Sequence, residues 1–95
     1  MRLEISVAAS LDLREMHRFG LDRYGGRQAD SYLDEILAKF DVTAERPLAA
    51  RQRMSRGRQV RLSTHSAHNI LYLVDGETIL ILRVVHHSVN RIDLL

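Results

Sequence analysis

Among its 95 residues the chain has no cysteine, a single proline (Pro47) and a single lysine (Lys39). Without cysteine there is no disulfide framework and no thiolate chemistry, which fits a reducing compartment. No apolar run approaches the roughly 20 residues needed to cross a bilayer. The opening MRLEISVAAS carries an acid and lacks the apolar core of a signal peptide. A soluble, cytoplasmic protein with no membrane partner is expected. No P-loop, dinucleotide fingerprint, nucleophile elbow or HExxH helix occurs. His86 and His87 are adjacent, so on a strand they point to opposite faces. With no cysteine or close carboxylate beside them, neither a metal nor any other cofactor is expected.

What is present is charge of one sign, concentrated in one segment. Residues 1–45 hold six basic and nine acidic side chains, whereas residues 46–74 hold six arginines and no acid. Those six are Arg46, Arg51, Arg53, Arg56, Arg58 and Arg61. Arginine favours planar, bidentate contacts to carboxylate or phosphate. The segment therefore suits an acidic partner or a nucleic acid, and equally a solvated loop. The length is that of one domain, residues 1–95. A chain this short buries only about 60–65% of its unfolded surface, so a partner that covers apolar area would stabilise it.

Along the chain, residues 2–6 alternate like a short strand, and Ser6 is a plausible N-cap. Ala9, Leu13, Met16, Gly20 and Tyr24 then form one helical stripe over 7–24. Gly20 on that stripe suggests close approach of a second helix. Gly25-Gly26 turns the chain. A second helix spans 27–45, with Ala29, Tyr32, Leu33, Ile36, Phe40, Thr43 and Ala44 inward, until Pro47 stops it. Residues 48–58 show no period and read as a loop or a short helical turn. Gln59–His65 alternates as a half-buried strand, with Ser66-Ala67 as the next turn.

Asn69–Val74 and Thr78–His87 are β-rich runs separated by Asp75-Gly76, a strong signal for a two-residue hairpin turn. That turn pairs Val74 with Glu77, Tyr72 with Ile79, Ile70 with Ile81 and His68 with Arg83. One face then carries Leu71, Leu73, Leu80, Leu82, Val84 and His86, nearly all hydrocarbon, and is expected to meet the helices. The other carries His68, Ile70, Tyr72, Ile79, Ile81, Arg83, Val85 and His87, and is expected to meet a partner. Ser88–Leu95 is an apolar tail that packs back or is offered to a partner. The expected fold is α+β, in the order β-α-α-β-β-β, with a helical hairpin on a C-terminal antiparallel meander. Arg61, His68, Arg83 and His87 lie on its last three strands. Arginines with histidine can hold a phosphate and move a proton, the parts of a metal-free ribonuclease site.

Several short motifs recur in order along nearly the whole chain. They are Ser6-x-x-Ala9-x-x-Asp12-Leu13, Tyr24-Gly25, Gln28-Ala29-x-x-Tyr32, Pro47, Ser66-x-His68-x-Ile70-x-Tyr72 and Arg83-Val84-Val85-His86. Together they resemble the RelE/ParE superfamily of bacterial toxins, and most closely its ParE branch. The resemblance implies a toxin of a type II toxin–antitoxin pair, neutralised by a small antitoxin that wraps it. ParE members inhibit DNA gyrase and have no known catalysis, whereas RelE members cut mRNA on the ribosome. The antitoxin is then expected at Arg61, Ile70, Tyr72, Ile79, Ile81, Arg83 and Val85. The target is expected at His86, Arg91, Leu94 and Leu95, because the C-terminal tail bears on toxicity in that branch. The alternative, mRNA cleavage, would use Arg61, His68, Arg83 and His87. The chain departs from the family pattern at Ser88, where arginine is usual.

Overall fold

Ser6 is where strand gives way to helix. A computed structural model of the chain describes residues 1–55 and 57–89. In it β1 (Arg2–Ile5) leads into α1 (Val7–Tyr24), and the Ser6 hydroxyl accepts the Ala9 N–H at 2.9 Å, a side-chain N-cap. Gly25, at φ 89°, ends α1 and starts α2 (Gly26–Glu45). The inward stripe of α2 is as expected, with Ala29, Ile36, Phe40 and Thr43 buried. On α1 the stripe holds from Ala9 to Gly20, but Tyr24 is 58% exposed where α1 meets the Gly25 turn. A Cβ on Gly20 would stand 3.2 Å from the Cβ of Ala29, so glycine is what lets the two helices touch there.

The sheet has one strand more than the sequence suggests. β2 (Arg51–Ser55) falls in the segment read as a loop and pairs antiparallel with β3 (Arg58–His65). β4 (His68–Asp75) and β5 (Thr78–His86) continue the meander, and β1 lies parallel beside β5. The order across the sheet is β1-β5-β4-β3-β2. The class remains α+β, as β-α-α-β-β-β-β. Among the described residues no helix is long and apolar enough to cross a membrane.

The β4–β5 register differs from the expected one by two residues. Asp75 pairs with Thr78, Val74 with Ile79 and Tyr72 with Ile81, so the turn is Gly76-Glu77. Gly76 has φ 61° and Glu77 has no positive φ, as a type II′ turn requires. A turn at Asp75-Gly76 would have taken Asp75 out of the ladder. Beyond Tyr72 the register slips again. Leu71 pairs with Arg83, which leaves Leu82 as an extra bulged residue.

The two sheet faces are exchanged relative to expectation. Ile70, Tyr72, Ile79, Ile81 and Val84 join Ala9, Ile36 and Phe40 in the main core. Ile70, Tyr72, Ile79 and Ile81 are each 0% exposed, because the helical hairpin lies on them. Val60, Leu71 and Val85, with Leu62 and Leu82 against them, form a second apolar cluster. The bulge brings Val84 onto the helix side and sends Val85 to the outer face. Only Val84 of the leucine-rich set meets the helices as expected.

Candidate functional site

The bulge sits where β1 ends. Ile5 pairs with Ile81, and past that point β5 would present a bare edge. The start of α1 covers it. The Ser6 N–H donates to the Ile81 carbonyl at 2.9 Å, and the Ser6 hydroxyl donates to the Leu82 carbonyl at 2.8 Å. Asp12 takes the next position, accepting the Val84 N–H at 2.9 Å. Its carboxylate also accepts Arg83 Nε at 2.7 Å and a terminal guanidinium nitrogen at 2.9 Å. This bidentate pair raises the Arg83 pKa further, against a smaller opposing effect of burial. Ser6 and Asp12, six residues apart on one motif, thus fasten α1 to the sheet.

Arg61 is likewise engaged within the fold. Its guanidinium donates to the carbonyls of Ala50 at 2.7 Å and Leu48 at 3.1 Å. Its cross-strand neighbour Tyr72 donates its hydroxyl to the Pro47 carbonyl at 2.7 Å. Burial pushes the Tyr72 phenol up. Together the two side chains pin the segment that links α2 to β2.

The proposed ribonuclease constellation is therefore not assembled. His68 pairs with His86, not with Arg83. Arg61 lies beside Tyr72, four residues along β4 from His68, which is roughly 13 Å of strand. Each arginine is turned onto a different internal partner. Of the four residues only His68 and His87 share a neighbourhood.

That neighbourhood is a cluster of imidazoles at one end of the sheet. The His68 and His86 rings meet edge to face at 5.7 Å, and the His86 and His87 rings lie 4.3 Å apart. The strand ends at His86, so the chain turns and the adjacent rings do not diverge as a continuing strand would make them. Tyr32 of α2 reaches the cluster, its Oη 2.7 Å from His68 Nδ1 and 3.3 Å from the His65 carbonyl. His65 Nε2 is 2.9 Å from a Glu35 carboxylate oxygen. Burial lowers the His68 pKa first, and the neighbouring His86, His87 and His65 lower it further. Burial likewise raises that of Tyr32. Among the described residues no set of three or more His, Asp or Glu side chains is arranged to hold a metal ion.

The cluster closes one end of a groove of about 800 Å³ between the helical hairpin and the end of β5. Met16, Phe19, Tyr24, Val85 and Val89 supply its apolar wall. Phe19 and Tyr24 are among the more exposed large hydrophobic side chains of the described residues, each at 58%. Tyr32 is expected from the sequence in the core, and His65, Asp12 and Glu35 carry no expected site role. The motif spacing that singled out Asp12 and Tyr32 was the available signal.

The arginine-rich segment divides by strand position. Arg51 and Arg53 are exposed on β2, directly across from Leu62 and Val60 and so on the outer face. Arg58 is also exposed, whereas Arg61 points to the helix side. Of the residues expected to meet an antitoxin, Ile70, Tyr72, Ile79 and Ile81 are under the helices and Arg61 and Arg83 are internally paired. Val85 alone lies on the outer cluster. Of those expected to meet a target, His86 is exposed in the imidazole cluster. Arg91, Leu94 and Leu95, with Arg56 of the basic segment, lie outside the described residues.

The family model described as the ParE toxin of the type II toxin–antitoxin system parDE matches residues 3–91. The sequence is 32% identical over 90 residues to Toxin ParE1 from two strains of Mycobacterium tuberculosis, covering 94% of this chain and 92% of that protein. In fold it is similar to a chain of the chromosomal ParDE system from P. aeruginosa, with a TM-score of 0.79 and 22% identity, covering 90% of this chain and 95% of that one. It is also similar to a chain of the toxin–antitoxin complex RelBE2 from Mycobacterium tuberculosis, with a TM-score of 0.70, 17% identity and coverage of 93% and 92%.

Proposed function

The chain belongs to the ParE toxin family of type II toxin–antitoxin systems, and from that premise we propose that it arrests growth by binding DNA gyrase and is neutralised by a cognate antitoxin. The observation that carries the non-catalytic reading is the fate of its arginines. Arg83 is held by Asp12 and Arg61 by the Ala50 and Leu48 carbonyls. A phosphodiester cleavage site needs such cations free and convergent on one phosphate. These two are spent on holding the fold, in separate places, which supports an inhibitor that acts by contact.

The antitoxin has two surfaces to occupy. One is the groove beside Phe19, Tyr24 and Val89. The other is the outer sheet face, where Leu62 and Val60 lie across from the exposed Arg51 and Arg53 and share one apolar cluster with Leu82. An acidic amphipathic segment suits the second surface, with carboxylates on those arginines rather than on Arg61 and Arg83. Both a gyrase inhibitor and its antitoxin act in the cytoplasm.

Induced expression in a bacterium tests this reading. Growth arrest with halted DNA synthesis, relieved by co-expressing the small reading frame beside the gene, is the expected result. Growth arrest accompanied by new mRNA ends in primer extension would replace the gyrase reading with ribonuclease action.

A further inference from the structure

Four of the chain's five histidines lie within one cluster, and they join three separate parts of the fold. His65 and His68 flank the β3–β4 turn. His86 and His87 end β5. Tyr32 and Glu35 bring in α2. We propose that this cluster is a proton-operated latch, which fastens the end of β5 and the β3–β4 turn to α2 when its imidazoles are neutral and releases the 86–89 segment, with that end of the groove, when they are protonated.

The hydrogen bonds give the latch its sense. The Ser88 N–H donates to His86 Nδ1 at 3.2 Å, and the Ser88 hydroxyl lies 2.9 Å from the same nitrogen. A backbone N–H can only donate, so this nitrogen must carry a lone pair. An imidazolium has a proton on both nitrogens and cannot accept. Protonating His86 therefore costs the contact that folds Ser88 back. The same holds in weaker form at His68. A neutral His68 can take the Tyr32 hydroxyl proton at 2.7 Å, whereas a protonated one sends that proton to the His65 carbonyl at 3.3 Å. The low His68 pKa agrees with a ring that resists charge in these surroundings.

Few anions stand ready to balance protonated rings. From α2, Glu35 faces the cluster and is already on His65. From α1, Glu15 lines the groove and Asp12 is held by Arg83. From β3 and β4 the facing ionisable groups are His65 and His68 themselves, and from β5 they are His86 and Arg83. With the His86 ring in contact with those of both His68 and His87, each added proton repels the others. The readiest relief is for the 86–89 segment to move away. It is tied to the β3–β4 turn by the His87 N–H on the Ala67 carbonyl at 2.8 Å, and Val89 lines the groove.

Amide hydrogen exchange by NMR on the full chain reads this directly, at about pH 7.5 and about pH 5.5. The amides at positions 87 and 89 should lose about tenfold in protection at the lower pH, after correction for the intrinsic exchange rate, while those of Arg2 and Ser6 keep theirs. In the double variant H86Q/H87Q, whose sites are exposed and should not disturb folding, protection at 87 and 89 should be nearly independent of pH. Y32F should show weakened protection at both values. Unchanged protection at 87 and 89 in the unaltered chain, or an equal loss in H86Q/H87Q, would overturn the latch.

Discussion

Replacing Asp12 by alanine should be among the most costly single changes on the surface of α1. Three hydrogen bonds end on this carboxylate, one from the Val84 N–H and two from Arg83. The Arg83 side chain is 28% exposed, so water can take over much of what it loses, and its share is discounted accordingly. The Val84 N–H has no such recourse, because Val84 is only 3% exposed. Leaving it unpaired costs about 1–3 kcal/mol, and the weakened Arg83 contact adds about 1 kcal/mol. A total of about 2–4 kcal/mol would lower Tm by about 10–30 °C for a domain of this size. Urea unfolding is the assay. With a slope of about 1.5 kcal/mol per molar, the midpoint should fall by about 1.3–2.7 M. Asp12→Asn keeps an acceptor for Val84 and should cost about half as much. Arg83→Met leaves the carboxylate on Val84 and should also cost less than Asp12→Ala. If Asp12→Ala costs under about 1 kcal/mol, or no more than Asp12→Asn, the Val84 contact is not what holds α1 to the sheet.

Three further outcomes are expected. Ile70→Asp, which a solvent-facing residue would tolerate, should abolish folding by circular dichroism, because it puts an unpaired carboxylate under the helices. Gly20→Val should destabilise by about 1–3 kcal/mol in chemical denaturation, since even its Cβ meets Ala29 at 3.2 Å. The His68 pKa is lowered on folding, so the unfolded chain binds the proton more readily. That contribution to stability is present above the unfolded value near 6.5 and is lost as pH falls through it and then through the lower folded value. His68→Gln should flatten the decline in Tm over that window.

The helical half was legible in the sequence because a polar face and an apolar face alternate there with a 3.6-residue period. The Ser6 cap, the Gly25 turn and the stop before Pro47 are local chemistry, and each stands where the residues put it. The β4–β5 hairpin was legible as a hairpin and not as a register. Both of its faces are apolar, so alternation says which residues share a face without saying which face the helices take. The β-branched set lies inward and the leucines lie outward, against the simpler assumption that the purer hydrocarbon face is the core. The Leu82 bulge has no sequence signal of its own. It becomes intelligible once β1 is seen to end opposite Ile81 and Ser6 and Asp12 take over the edge. β2 was invisible because RQRMS is an edge strand with no apolar alternation.

The site was legible in part. Arg83 and His86 were marked by motif, but a motif does not say whether an arginine faces a ligand or a carboxylate seventy-one residues away. The cluster of four histidines depends on the register at the far end of the hairpin. Two residues of slip and one bulge are what exchange Arg83 for His86 as the partner of His68.

The central claim, a toxin that acts on gyrase by contact, meets its most direct test in a supercoiling reaction with purified gyrase, relaxed plasmid and this protein. Loss of supercoiling, or accumulation of cleaved plasmid, with recovery on adding the antitoxin, is the predicted result. Normal supercoiling at a large molar excess of folded protein would contradict it.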